Sequence, residues 1–287
     1  MNENKERKLP FSQRTGASPI PPQLNIGEIS DELRRLIWYE VYKEFRSSLK
    51  MGSMSYYISS PWREILLDIH VKILNQYPEN FTADVDGWES LLKRKIINEE
   101  MNSLFDFIEF LIERRQSISQ KISKAFIEAR AAYRIYEDSI CAVGTHEQAA
   151  AFERAVSDAD SISAIGARIH LVHAGEALAK GEWTDSVRES IHAVESIAKQ
   201  LSPNSNGLGP ALTKLDEKGY LHGSLKSTFT KLYGWTSDEE GVRHALIFQD
   251  ESRVDETDAL FMLGACASFV SYLVERGISL GKLQNDP

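Results

Sequence analysis

Cysteine is nearly absent from this chain. Two occur in 287 residues, Cys141 and Cys266, far apart in sequence. So sparse a set excludes a disulfide framework and a cysteine-built metal site, and it fits a reduced cytoplasmic protein. Long apolar runs are missing as well. No stretch reaches the roughly 20 residues that cross a bilayer. The best candidate, Ala259 to Val274, is interrupted by Gly264, Ser268 and Ser271, so it predicts a buried core helix and no membrane partner. The opening MNENKERKLPFSQR lacks an apolar core and does not read as a secretory signal. There is no phosphate-cradling glycine loop, no Gly-x-Ser-x-Gly and no setting for a catalytic cysteine, and no cofactor is expected. An excess of basic charge is lacking too. The formal net charge is −9, with 20 basic and 21 acidic residues in 1–140 but 13 and 21 in 141–287. Proteins that coat nucleic acid are usually basic, so an RNA partner here needs a small local site.

Strand-like alternation is equally scarce, whereas helical periodicity is everywhere. Residues 1–30 hold Pro10, Pro19, Pro21 and Pro22 with Gly16 and Gly27, which reads as a looped lead-in wrapping over the surface of the domain. From Ser30 the pattern changes. Ser30 is a good N-cap, Asp31 and Glu32 suit the positive helix end, and Leu33, Leu36, Ile37, Val41 and Phe45 recur at helical spacing. PWREILLDIHVKILNQY opens with Pro61 at a helix start and sets Ile65, Leu66, Ile69 and Ile73 on one face. WESLLKRKIIN, SLFDFIEFLIERR and ISKAFIEARAAYRIYEDSI continue in the same period.

The second half is helical by the same criteria. GARIHLVHAGEALAKGEW stops at Gly181, and the next helix takes Thr184 or Asp185 as its cap and ends before Pro203. LGPALTKLDEKG and LHGSLKSTFTKLYG are short helices closed by glycine. Ser237 with Glu240 makes a capping box ahead of GVRHAL, and an acidic cluster opens DETDALFMLGACASFVSYLVERG. The reading is all-α: two helical domains, 1–148 and 149–287, without an internal repeat.

Six of the seven histidines lie in residues 141–287, and the polar groups there are the candidates for chemistry. Arg188, His192, Glu195 and Lys199 make one stripe at helical spacing, beside the apolar stripe of Val187, Ile191, Val194, Ala198 and Leu201. By itself such a stripe is a ladder of charges on a solvated face. His170, His173 and Glu176 have a spacing that can hold a divalent metal, but no further ligand is marked on another helix, and no metal is assigned. Arg243 and His244 come directly after the capping box. A helix start holds phosphate readily, arginine adds a planar fork and histidine exchanges protons near neutral pH. The opposing reading, in which Arg243 pairs with Asp238, Glu239 or Glu240, is as well supported by the chemistry.

FSQRTGASPIPPQLNIGEISDELRRLIWYEVY resembles one class of N-terminal domain of AbiJ-type abortive-infection proteins of bacteria. The matching features are the Phe-Ser-x-Arg-x-Gly start, the proline-rich step and the LRRLIW helix. From GARIHLVHAGEALAKGEW through LYGWTSDEEGVRHAL to FMLGACASFVSYL the chain is similar to the HEPN-like domain attached to it. The resemblance implies an antiphage abortive-infection protein whose C-terminal helical bundle dimerises and cuts RNA without a metal. In active relatives an arginine, with a histidine four to six residues later, holds the scissile phosphate. The histidine moves protons as the ribose 2′-hydroxyl attacks.

Carried over to this chain, Arg243 and His244 become the catalytic pair, with Arg188, Glu189, His192 and Glu195 in support. The spacing departs from the pattern: His244 is directly next to Arg243, and positions 247 to 250 are Ile, Phe, Gln and Asp. Arg168 and His173 do have the spacing and form the fallback pair. Two functions therefore remain open, a dimeric toxin-like endoribonuclease and a non-catalytic helical module that senses a phage or host component.

Overall fold

The computed structural model describes residues 11–19, 21–53, 55–136, 138–238 and 254–284. After a single turn, α1 (Phe11–Arg14), the lead-in lies along the chain's middle. Gln23 Nε2 and the Leu24 amide both donate to the Arg130 carbonyl, at 2.6 and 3.0 Å, and the Gly27 amide donates to Tyr133 Oη at 2.7 Å. The first long helix, α2 (Asp31–Ser47), starts where Ser30 accepts the Leu33 amide at 3.1 Å, and it buries Leu33, Ile37, Val41 and Phe45. A small antiparallel hairpin comes next, β1 (Leu49–Met51) with β2 (Tyr56–Ile58).

Pro61 then precedes α3 (Trp62–Asp68), which runs on as a π-helical turn over Ile69–Ile73. Asp84 caps α4 (Val85–Ile97) by accepting the Gly87 amide, and α5 (Met101–Arg114) and α6 (Gln116–Glu128) complete the first group. In this group α2 packs against α4 and α6.

The helix expected over ISKAFIEARAAYRIYEDSI divides. It ends with α6, and a second hairpin succeeds it, β3 (Tyr133–Tyr136) with β4 (Ser139–Ala142), pairing Tyr133 with Ala142 and Ile135 with Ile140. Helix-forming Ala, Arg and Glu mask the break in sequence. The backbone makes it: Arg130 and Asp138 both sit at positive φ, 54° and 68°, which no helix tolerates. Between them Tyr133, Arg134 and Ile135 are all buried, so the aromatic and β-branched residues pack as a strand.

Beyond the hairpin, Thr145 and Gln148 form a capping box for α7 (His146–Ser161). α8 (Ile165–Lys180) stops at Gly181, whose φ of 76° is the left-handed stop that its sequence called for. α9 (Trp183–Leu201) begins after Glu182 with no side-chain cap bond, so Thr184 and Asp185 lie inside its first turn and do not cap it. Then come α10 (Leu208–Glu217) and α11 (Gly223–Asp238).

That last helix runs through Gly234, and Ser237 lies within it where a new helix start was expected. Gly234 costs about 1 kcal/mol inside a helix. Against that cost, Phe229, Leu232, Tyr233 and Trp235 pack against the core from the same helix. Glu240, Arg243 and His244 lie outside the described residues.

The chain closes with α12 (Glu256–Ser279), capped by the Asp255–Asp258 box. By length and composition this helix can cross a membrane, but 56% of its apolar window is buried inside the protein. It packs against α7, α8 and α9 through Met262, Leu263, Cys266, Phe269, Val270 and Val274. Among the described residues the fold is thus all-α in class, with two small hairpins, and nearly all of the buried apolar residues join one continuous cluster.

Candidate functional site

Antiparallel packing of α8 on α9 results from the stop at Gly181, which reverses the chain within two residues. Positions equally far from the turn then face each other. His170 and His192 lie eleven residues before and after Gly181, and His173 and Glu189 lie eight residues before and after it. Their apolar neighbours point inward: Leu171, Val172 and Leu178 on α8, and Val187, Ile191 and Val194 on α9. The polar four therefore gather at the margin of the core.

Glu189 is the hub of this cluster. One carboxylate oxygen, Oε2, lies 2.7 Å from His170 Nδ1 and 3.9 Å from His173 Nδ1. The other, Oε1, lies 3.7 Å from His192 Nδ1. The His170 and His192 rings meet edge to face with centroids 5.2 Å apart. The side chains are 34% (His170), 23% (Glu189) and 36% (His192) exposed, so the group is sheltered yet open to solvent. Burial pushes the His192 pKa down, outweighing the pull of Glu189 in the opposite direction. A carboxylate set between imidazoles can fix their tautomers and take or return a proton.

The other expected residues are placed around it. Arg188 pairs with Asp185 at 2.5 Å, one turn earlier on α9. Glu195 pairs with Lys199 at 2.6 Å, one turn later. Arg168 Nε binds Asp160 of α7 at 2.9 Å, while His173 faces Glu189. An advance of five residues turns a helix by about 140°, which is why this pair at the expected spacing parts toward different neighbours. Glu176 belongs elsewhere: its charge acts on Glu109 and Cys141, on the side of the β3–β4 hairpin.

His170 is the residue that the sequence alone did not join to Glu189 and His192, because no interval in one helix links them. The signal was the glycine stop, which sets the register of the two helices. Both cysteines are buried, and burial raises each thiol, that of Cys266 to about 12, so neither is a nucleophile.

A family model described as AbiJ N-terminal domain 4 matches residues 9–158. No curated protein and no solved structure matches the chain.

Proposed function

Since that match spans just over half of its length, the chain belongs to the family of AbiJ N-terminal domain 4, and from this premise we propose that it is an antiphage abortive-infection protein with a HEPN-like C-terminal endoribonuclease domain. The family match is the observation that carries the reading, since it supports abortive infection directly. The domain boundary falls near residue 148, and the C-terminal domain forms a homodimer that completes the cutting site. Arg243 holds the scissile phosphate, and His244 takes the 2′-hydroxyl proton as that oxygen attacks phosphorus. The P–O5′ bond breaks and the proton passes from the imidazolium to the departing 5′-oxygen, leaving a 2′,3′-cyclic phosphate and a free 5′-hydroxyl. Arg188 steadies the RNA backbone, while Glu189, His192 and Glu195 hold the polar face against which it lies.

The cluster around Glu189 supports this reading through its chemistry, because imidazole and carboxylate at hydrogen-bond distance are the groups that metal-free proton transfer uses. One observation favours the second function, a non-catalytic module that senses a phage or host component. Arg168, the arginine with a histidine at the expected spacing, is held by Asp160.

The deciding experiment incubates the purified full-length chain with RNA, with and without EDTA, alongside induced expression in cells. Cleavage that persists in EDTA, with growth arrest, is expected. Arg243→Ala and His244→Ala should each abolish both while circular dichroism and melting stay unchanged. Full activity in both variants moves the cutting site to Arg168 and His173. A wild-type chain that neither cuts RNA nor arrests growth leaves the sensing module as the function. Light scattering at micromolar concentration should give twice the chain mass, and a strictly monomeric mass would count against a shared site.

A further inference from the structure

We propose that His170, Glu189 and His192 form a binding site for a divalent transition ion of the zinc and cobalt class, bridging α8 and α9. Imidazole and carboxylate are the ligands such ions favour, and histidine–metal bonds of about 2.0–2.1 Å put the donors of a tetrahedral site roughly 3.3 Å apart. The contacts found here bracket that figure. Glu189 lies 2.7 Å from His170 and 3.7 Å from His192, and the three donors all fall within 4.8 Å of one another. Bringing the widest separation this bound allows, 4.8 Å, to the tetrahedral spacing takes a side-chain movement of roughly 1.5 Å.

Spacing supports the geometry. Glu189 and His192 are three residues apart on α9, the interval by which bundle helices present a carboxylate and an imidazole to one ion. His170 reaches them from the neighbouring helix, so the ligands come from two elements already held together by a buried apolar seam. Such a seam offsets much of the ordering cost in advance. Partial exposure gives the ion a way in and leaves a coordination position for water. Lys199 and Arg188, the nearby cations of α9, are paired with Glu195 and Asp185, which offsets their repulsion.

Metal binding is read without RNA, so this site and the nuclease reading stand or fall separately. Metal-free full-length protein is titrated with Zn²⁺ by calorimetry and with Co²⁺ by visible absorption. One ion per chain is expected, with the intense visible bands of low-coordinate Co²⁺. Glu189→Gln and His192→Ala should each weaken Zn²⁺ binding at least tenfold and lose the Co²⁺ bands while melting close to the parent. His222→Ala, an exposed histidine in the connection just before α11, should change neither. Absence of binding, or binding that the two ligand variants leave intact, overturns the site; so does equal loss in His222→Ala.

Discussion

Two buried charges show what single residues contribute to this protein. Arg134 points inward from β3, only 4% exposed, donating to Glu153 at 2.7 Å and to the Ala131 and Tyr133 carbonyls at 3.0 and 2.8 Å. One guanidinium thus ties the hairpin to α7 and satisfies two backbone carbonyls where β3 begins. Arg134→Ala should cost about 2–3 kcal/mol in urea unfolding. Arg134→Lys should recover little of it, because a single ammonium cannot span the three acceptors.

Glu44 on α2 is the acidic counterpart, bound by Lys121 and, at 3.3 Å, by Arg115 of the α5–α6 junction. Burial pushes its carboxyl up, but the two cations outweigh that and hold it below its usual 4.5. A lowered folded-state value means that the pairing stabilises the fold above about pH 4.5 and fades as pH falls through that lower value. Glu44→Gln should therefore destabilise by about 1–2 kcal/mol at pH 7. The gap to the parent should narrow as pH falls below 4.5. A gap independent of pH would show that the contact acts by shape alone.

Elements, taken one at a time, were legible in sequence wherever capping chemistry and a 3.6-residue period agreed. Ser30, Asp255 and Gly181 mark ends where the helices do start and stop. Legibility failed where burial overruled local preference. Gly234 and Ser237 look like a stop and a start, yet α11 passes through both because its aromatic residues reach the core. The stretch leading into Tyr133 to Ala142 carries helix-forming residues, but the chain there becomes a hairpin whose β4 packs on α8. The polar cluster was half legible: His192 lies in the polar stripe of α9 and Glu189 was named only in support, while His170 depends on the packing of two helices, which no single period encodes.

Close approach of the hairpin to α8 explains one more residue. A Cβ on Gly175 would lie 2.8 Å from Cys141 Cβ, a distance that real contacts do not show. Gly175→Ala gains up to about 1 kcal/mol of helix propensity. Overpacking costs about 1–3 kcal/mol, so the variant should melt lower than its parent. A higher melting temperature would mean that α8 can move away from β4 freely.

At the scale of the whole molecule, the buried cluster is continuous from α2 to α12, so the two halves share apolar surface. The proposed boundary near residue 148 predicts that limited proteolysis yields a persistent fragment starting close to α7, identified by mass. Digestion that passes through this region with no stable product argues for one cooperative unit.

The position of α7 reaches further than stability. The family match runs on to residue 158, well inside this helix, yet α7 rests on α8 and α12. What descends with the recognised N-terminal unit and what supports the remainder therefore overlap by one helix. A hybrid that joins this N-terminal unit to another member's second half after residue 158 would seat α7 on a stranger's surface. One joined at Gly144, where φ is 74° and α7 has not begun, lets the helix travel with the bundle it covers. A hybrid joined at Gly144 is thus expected to melt above one joined after residue 158.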